Sequence, residues 1–207
     1  MGRTIGPTNK ISRRFGINLG LKSNPIKVAL RLNQMPGVHG PSAKRRTASG
    51  FGKQLLEKQK AKFVYGIRER QFSRYVETAR RMAGDSGVHL QQMLEMRLDN
   101  VVYRGGFSLT RAQARQIVNH GMFTVNGKGV DIPSHIVRVG DVVALKENKK
   151  KKKLFENISE TLAKKEAPSW LAIDAKIGSI KITNKPGEMD VEKLYDVKLI
   201  IEYYSTR

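Results

Sequence analysis

Arg111 and Arg115 stand four residues apart, and Arg97, Arg104, His120, Asn126 and Lys128 lie close to them along the chain. A guanidinium offers a planar fork of donors that fits a phosphate bidentately and can also stack on an exposed base. Residues four apart share a helix face, so Arg111 and Arg115 could grip successive anionic groups of one polymer. That is recognition chemistry, with no bond made or broken. Both arginines are expected to be exposed. Asp99 follows Arg97 by two residues and would not face it on a helix. Orienting an arginine from the next helix and taking part in binding are both open for Asp99. His120, before Gly121, reads equally as a helix C-terminal cap or as a contact to the polyanion. His39, in Pro36-Gly37-Val38-His39-Gly40, is a turn residue or a contact.

Ser, His and Asp all occur, but the arrangements that covalent chemistry needs are missing. There is no cysteine, which excludes disulfides and any Cys-ligated zinc. Four scattered histidines make no recognisable metal set. No nucleophile elbow, phosphate-cradling loop or dinucleotide fingerprint occurs. Gly127-x-Gly129 belongs to a hairpin, and Met93 and Met96 sit at helical spacing as core residues. We therefore expect no enzyme, no metal, no cofactor and no small-molecule substrate.

Charge points the same way. The formal net charge is +21 over 207 residues, and it opposes compaction unless a polyanion neutralises it. Nucleic acid is the first candidate partner, an anionic membrane surface the second, and a merely basic soluble protein the third. Residues 1–90 hold 19 Lys and Arg against 4 Asp and Glu, and no acid precedes Glu57. The first 90 residues are thus the strongest electrostatic footprint. No apolar run is long enough to span a membrane, and the N-terminus has no apolar signal-peptide core. A cytoplasmic location without membrane contact follows as the expectation.

The elements that must position these groups can be read in outline. Residues 1–50 carry Arg3, Lys10, Arg13, Arg14, Lys44, Arg45 and Arg46 among turn dipeptides such as Gly6-Pro7, Asn24-Pro25 and Pro36-Gly37. With few apolar residues, this basic arm is predicted to be irregular and to order on a partner. A helix is predicted over 53–65, containing Lys58, and another over 69–83. There Phe72, Val76 and Ala79 form one stripe, and Arg70, Arg74 and Arg81 project at related turns. A third helix is predicted over 89–103, stopped by Gly105-Gly106. Thr110 and Gln113 form a capping-box pattern opening a fourth. Phe123–Val130 reads as a hairpin, because Asn126-Gly127 suits a type I′ turn. Val137 and Val139, then Val142–Leu145, read as strand, turn and strand. Lys149–Lys153 reads as a solvated loop, or alternatively as a backbone contact. A charged helix is predicted over 154–167, and a strand over 177–183. Residues 194–204 fit either a strand or a helix.

Residues 97–145 resemble the small RNA-binding domain shared by a small-subunit ribosomal protein, pseudouridine synthases and tyrosyl-tRNA synthetases. The matching elements are Arg97-Leu98-Asp99, Arg111-x-x-Ala114-Arg115, His120-Gly121, Val125-Asn126-Gly127 and Gly140-Asp141. Outside them, Gly6-Pro7, Ser12-Arg13-Arg14, Pro36-Gly37-x-His39-Gly40, Glu57-Lys58-Gln59-Lys60, Tyr65-Gly66, Glu69-Arg70-Gln71-Phe72 and Pro168-x-Trp170-Leu171 recur in order. Nearly end to end, the chain resembles the bacterial-type S-four family of small-subunit ribosomal proteins. The resemblance implies cysteine at the places of Asn9 and Leu30 in zinc-binding members, so this chain resembles the zinc-free form.

The resemblance implies an α+β fold. An extended basic arm (1–50) leads to a helical N-terminal domain (51–90). An RNA-binding domain of two helices on an antiparallel sheet (91–150) follows. The segment 151–207 then extends the sheet and returns to the helical domain, ending in a short helix. It implies binding of 16S-type rRNA at a multi-helix junction, early in assembly, by counterion release and backbone shape. It further implies ribosomal protein S-five as a neighbour, a place near where mRNA enters, an influence on accuracy and, in some members, repression of their own mRNA. Taken with the charge, it selects as RNA-binding candidates Arg3, Lys10, Arg13, Arg14, Lys44, Arg45, Arg46, Lys58, Arg70, Arg74, Arg81, Arg97, Arg104, Arg111, Arg115, His120, Asn126 and Lys128. Two other classes compete: an RNA-modifying enzyme that docks through this module, for which too little chain remains after residue 146, and a free RNA-binding rescue factor.

Overall fold

The computed structural model describes residues 6–42, 47–150, 152–155, 162, 166–187 and 189–205. In chain order these form α1 (Thr8–Phe15), α2 (Pro25–Ala29), α3 (Gly50–Val64), α4 (Glu69–Arg81), α5 (Ser86–Glu95), α6 (Leu98–Arg104) and α7 (Arg111–Asn119). Strands β1 (Phe123–Val125), β2 (Lys128–Val130) and β3 (Val142–Leu145), a short α8 (Glu147–Lys150) and a 3-10 turn (Lys153–Phe155) follow. Then come β4 (Leu171–Asp174), β5 (Ser179–Ile182) and a C-terminal helix, α9 (Val197–Ser205). The chain divides into two compact units, Met1–Leu90 with Glu192–Arg207, and Gln91–Val191.

In the first unit the basic arm is less irregular than its composition predicts. Asn24 caps α2 by accepting the Lys27 N–H at 3.1 Å, with Pro25 supplying the preset φ of the first turn. Gly16, at φ 71°, closes α1 and donates its N–H to the Ser12 carbonyl. Arg13 ties the following turn together, donating to the Gln34 carbonyl at 3.0 Å and the Met35 carbonyl at 2.8 Å. A Cβ at Gly40 would collide with the Met35 carbonyl, so that turn admits only glycine there. Leu19 and Val28 are buried. Local capping and one arginine thus supply order that the apolar count does not suggest.

The core of this unit joins α3 and α4 to α9. Ala61, Val64, Tyr65, Ile67, Phe72, Val76 and Ala79 are buried together with Ile200 and Tyr203. Residues 197–205 are helical, which settles the ambiguous C-terminus. Ile200 and Tyr203, three apart, bury the inner face. The Tyr65 and Tyr195 hydroxyls lie 3.2 Å apart, and Phe51 and Phe72 pack near Tyr203 and Tyr204.

The second unit carries an antiparallel sheet in the order β2-β1-β3-β5-β4. Its inward residues Phe123, Val125, Val143, Leu145, Ile180 and Ile182 share one core with Leu98, Val101 and Val102 of α6 and Ala114, Ile117 and Val118 of α7. Trp170 is completely buried in the same core. The approach is close enough that a Cβ at Gly105 would strike the Ile180 side chain.

Two expectations fail here. The helix predicted over 89–103 is two helices. At Arg97 the backbone is extended (φ −71°, ψ 140°) and forms a bridge with Ile136. Leu98 donates to the His135 carbonyl at 2.8 Å and Val137 to the Met96 carbonyl at 2.9 Å. That pairing also consumes the segment read as a strand at Val137–Val139, where Val137 is buried and Val139 exposed. A local apolar period continues across 94–101 whether or not the backbone does, so the break leaves no periodic trace. The helix predicted over 154–167 falls mostly outside the described residues.

Candidate nucleic-acid interface

The break before α6 is what brings charged groups together. Because Arg97 is the extended N-cap residue and not a helical one, its side chain does reach Asp99. Nε donates to Oδ1 at 3.0 Å and Nη2 to Oδ2 at 2.7 Å. Arg97 is wholly buried, and Asp99 nearly so. From α7, Arg115 brings its Nε to 3.6 Å from the same Asp99 Oδ2. Of the two roles left open for Asp99, the geometry supplies orientation of an arginine from the next helix.

A second cluster adjoins the first. Glu95, fully buried at the end of α5, receives Arg104 at both oxygens, at 3.0 and 3.1 Å. It also accepts from the Asn100 amide at 2.8 Å. The Asn100 side-chain Oδ1 accepts from Arg111 Nε at 2.8 Å, and the Arg111 guanidinium lies 4.5 Å over the Tyr103 ring. A buried charge is tolerable only when paired and hydrogen-bonded in this way. Arg111 is 8% exposed and the Arg115 side chain 16%, so the expectation of two freely exposed arginines is corrected. A strip one turn wide on α7 cannot both face solvent and lie against α6. These arginines are held sideways in the seam between the helices. Glu95, Asn100 and Tyr103 escaped the sequence reading, because their partnership spans the helix break and resembles no spacing rule.

Elsewhere in this unit the expectations divide. Thr110 caps α7, accepting the Gln113 N–H at 3.2 Å, while Gln113 Oε1 accepts the Leu109 N–H at 3.0 Å. Asn126 (φ 50°) and Gly127 (φ 79°) make the hairpin turn. The Asn126 side chain is exposed but committed. It accepts the Val142 N–H at 2.9 Å and donates to Asp141 Oδ1 at 2.8 Å. Lys128 is exposed on β2. His120 is the C-cap of α7 through its backbone N–H, with its ring exposed.

The first unit distributes its cations differently. Arg70, Arg74 and Arg81 are exposed along α4, as are Lys10 and Arg14 on α1, while Arg13 is half-buried in its turn. Lys58 is buried. It donates to Glu69 Oε1 at 2.8 Å and sits 4.4 Å over the Tyr203 ring. Glu69 also receives Lys62 at 3.0 Å and the Tyr204 hydroxyl at 2.7 Å. Partial burial pushes its carboxyl up, but the hydrogen bonds from Lys58, Tyr204 and Lys62 together outweigh that and hold it at about 2. Arg3, Lys44, Arg45 and Arg46 lie outside the described residues.

Among the described residues no group of His, Cys, Asp or Glu could hold a metal ion. At the two positions weighed for a zinc ligand, Leu30 offers no donor atom and is exposed, and Asn9 offers only an amide. These residues do not fit a thiolate-bound zinc. No described helix is long and apolar enough to cross a membrane.

Comparison with known proteins divides at the same helix break. Residues 3–95 match the family model described as ribosomal protein S4/S9 N-terminal domain, and residues 96–143 match the S4 domain. Small ribosomal subunit protein uS4 of Roseiflexus castenholzii is 47% identical over 207 residues, covering 99% of this chain and all of that one. The proteins of the same name from Chloroflexus aurantiacus and Borrelia hermsii are 46% and 43% identical, covering 99% and 100% of this chain and all of each relative. These relatives are ribosomal proteins and not enzymes.

Proposed function

Because this chain belongs to the family of small ribosomal subunit protein uS4, we propose that it is a structural constituent of the small subunit that binds 16S-type rRNA. One observation carries the reading. Within the second compact unit, Glu95, Asp99 and Asn100 hold Arg104, Arg115 and Arg111 along the α6–α7 seam, and all of them but Glu95 lie among the residues that match the S4 domain. Such a row suits successive phosphates of a folded RNA, and its carboxylates are already neutralised by partners inside the domain.

The other cations sort by exposure. Lys10, Arg14, Arg70, Arg74, Arg81, His120 and Lys128 are placed for direct contact with RNA backbone. Lys58 and Arg97, both buried, hold the surfaces on which contacts are made. Arg3, Lys44, Arg45 and Arg46 join the interface on the strength of charge and family alone. The proposed division of labour is an arm at 1–50, a helical domain at 51–90, an RNA-binding domain at 91–150, and a C-terminal segment completing both. Binding at a multi-helix junction early in assembly, with S-five as a neighbour and mRNA close by, extends the same reading to accuracy of decoding.

The experiment is gradient fractionation of cells expressing a tagged chain. Stoichiometric presence in small subunits supports the proposal. A chain confined to ribosome-free fractions overturns it. Pulse-labelled assembly intermediates test the early step, and stop-codon readthrough tests the effect on accuracy.

A further inference from the structure

We propose that Asp99 is a positioning residue for RNA binding: an acid inside a polyanion-binding domain that raises affinity by holding Arg115 ready for a phosphate. This rests on the reading above that the domain binds rRNA.

The carboxylate is held by a bidentate arginine, and the backbone that carries it is anchored separately. Arg97 occupies Oδ1 at 3.0 Å and Oδ2 at 2.7 Å, and the Asp99 backbone N–H is anchored on the Pro133 carbonyl at 3.1 Å. Arg97 is completely buried and so contributes no phosphate contact of its own. What it does is cancel the charge of Asp99. The pair presents Arg115 with an oriented acceptor that carries no net charge, so Asp99 itself does not oppose the approach of a phosphate to Arg115.

Arg115 stands at the edge of this arrangement. Its Nε lies 3.6 Å from Oδ2, an ion-pair distance longer than a close hydrogen bond. Its side chain keeps 16% of its surface accessible. A long side chain that binds a partner must give up its rotamer freedom on binding, and one already confined gives up less. Charge counting alone predicts the opposite, that removing an acid strengthens binding to a polyanion. The two effects have opposite signs, so one variant separates them.

The experiment measures binding of the full chain to full-length 16S-type rRNA transcribed in vitro, across a salt series and well below the melting temperature of each variant. Asp99→Asn raises the net charge by one and is expected to weaken binding about fivefold, the size of ordering one long side chain. Because Asp99→Asn also leaves Arg97 buried without its carboxylate, Arg115→Lys is the companion. It keeps both the charge and the Arg97–Asp99 pair, and it is expected to weaken binding by a similar factor with an unchanged salt slope. The double variant is expected to bind no more weakly than Asp99→Asn alone. Binding by Asp99→Asn as tight as wild type or tighter overturns the inference, as does Arg115→Lys binding like wild type. If Asp99→Asn shows no cooperative melt, Arg115→Lys decides alone. Wild-type protein that prefers 16S-type rRNA no more than an unrelated RNA overturns the rRNA reading and this inference with it.

Discussion

Glu95 and Arg104 meet as a bidentate pair, Nε to Oε2 at 3.0 Å and Nη2 to Oε1 at 3.1 Å, across nine residues and a helix break. Glu95 is fully buried while Arg104 keeps a little exposure. Glu95→Ala removes the carboxylate that accepts from the Arg104 guanidinium and the Asn100 amide, while Asn100 keeps its bond to the backbone carbonyl of residue 95, and breaking a buried pair from one side costs about 3 kcal/mol. Urea unfolding should show that loss as a lower midpoint at constant slope. A midpoint within error of wild type would mean the pair contributes nothing to folding.

Gly105 tests the packing of α6 on the sheet. Its φ is −69°, so alanine is conformationally acceptable there. The added methyl would strike the Ile180 side chain and approach the Val101 carbonyl at 3.1 Å. Gly105→Ala is therefore expected to destabilise by about 2 kcal/mol through overpacking. Ile180→Val in the same chain should restore part of the loss, and thermal melts of the three variants measure it. Additive losses would place the clash elsewhere.

Acid sensitivity follows from Glu69. Its carboxyl lies at about 2 in the folded chain against an ordinary value of 4.5. A depressed folded value contributes stability that is present above about pH 4.5 and is lost as pH falls toward 2. The side chain is 46% exposed, so solvent screening reduces the contribution to about 1 kcal/mol. Glu69→Gln should lower stability at neutral pH and flatten its decline between those two pH values. Parallel pH–stability curves for wild type and variant would refute this.

Arg70 and Arg74 are exposed on α4. Replacing both with Ala should leave the melting temperature within a degree or two while weakening rRNA binding. The salt dependence should flatten by about 0.7 to 0.9 per lost phosphate contact, by analogy with DNA. Arg111→Ala should behave differently, lowering stability as well as affinity, because Arg111 bonds Asn100 and covers Tyr103. If the α4 double variant keeps both its affinity and its slope, that face does not touch RNA.

Several features of this chain are legible without coordinates. The cap at Thr110, the turn at Asn126-Gly127, the stripe Phe72-Val76-Ala79 and the excess of cation over acid before Glu57 are all local. Each depends on neighbours within a few residues, which is the range over which caps, turns and periodicity act. Family membership was equally readable from motif order. The fate of the charges was decided only by tertiary structure. Lys58, Arg97 and Arg111 look like their exposed counterparts Arg70 and Arg74 in sequence, yet they are buried against Glu69, Asp99 and Asn100. The helix break at Arg97 came from pairing with Ile136, about forty residues away, and not from any breaker residue. A long-range backbone hydrogen bond leaves no local signature, and a charged side chain is buried or exposed according to what the rest of the chain folds over it.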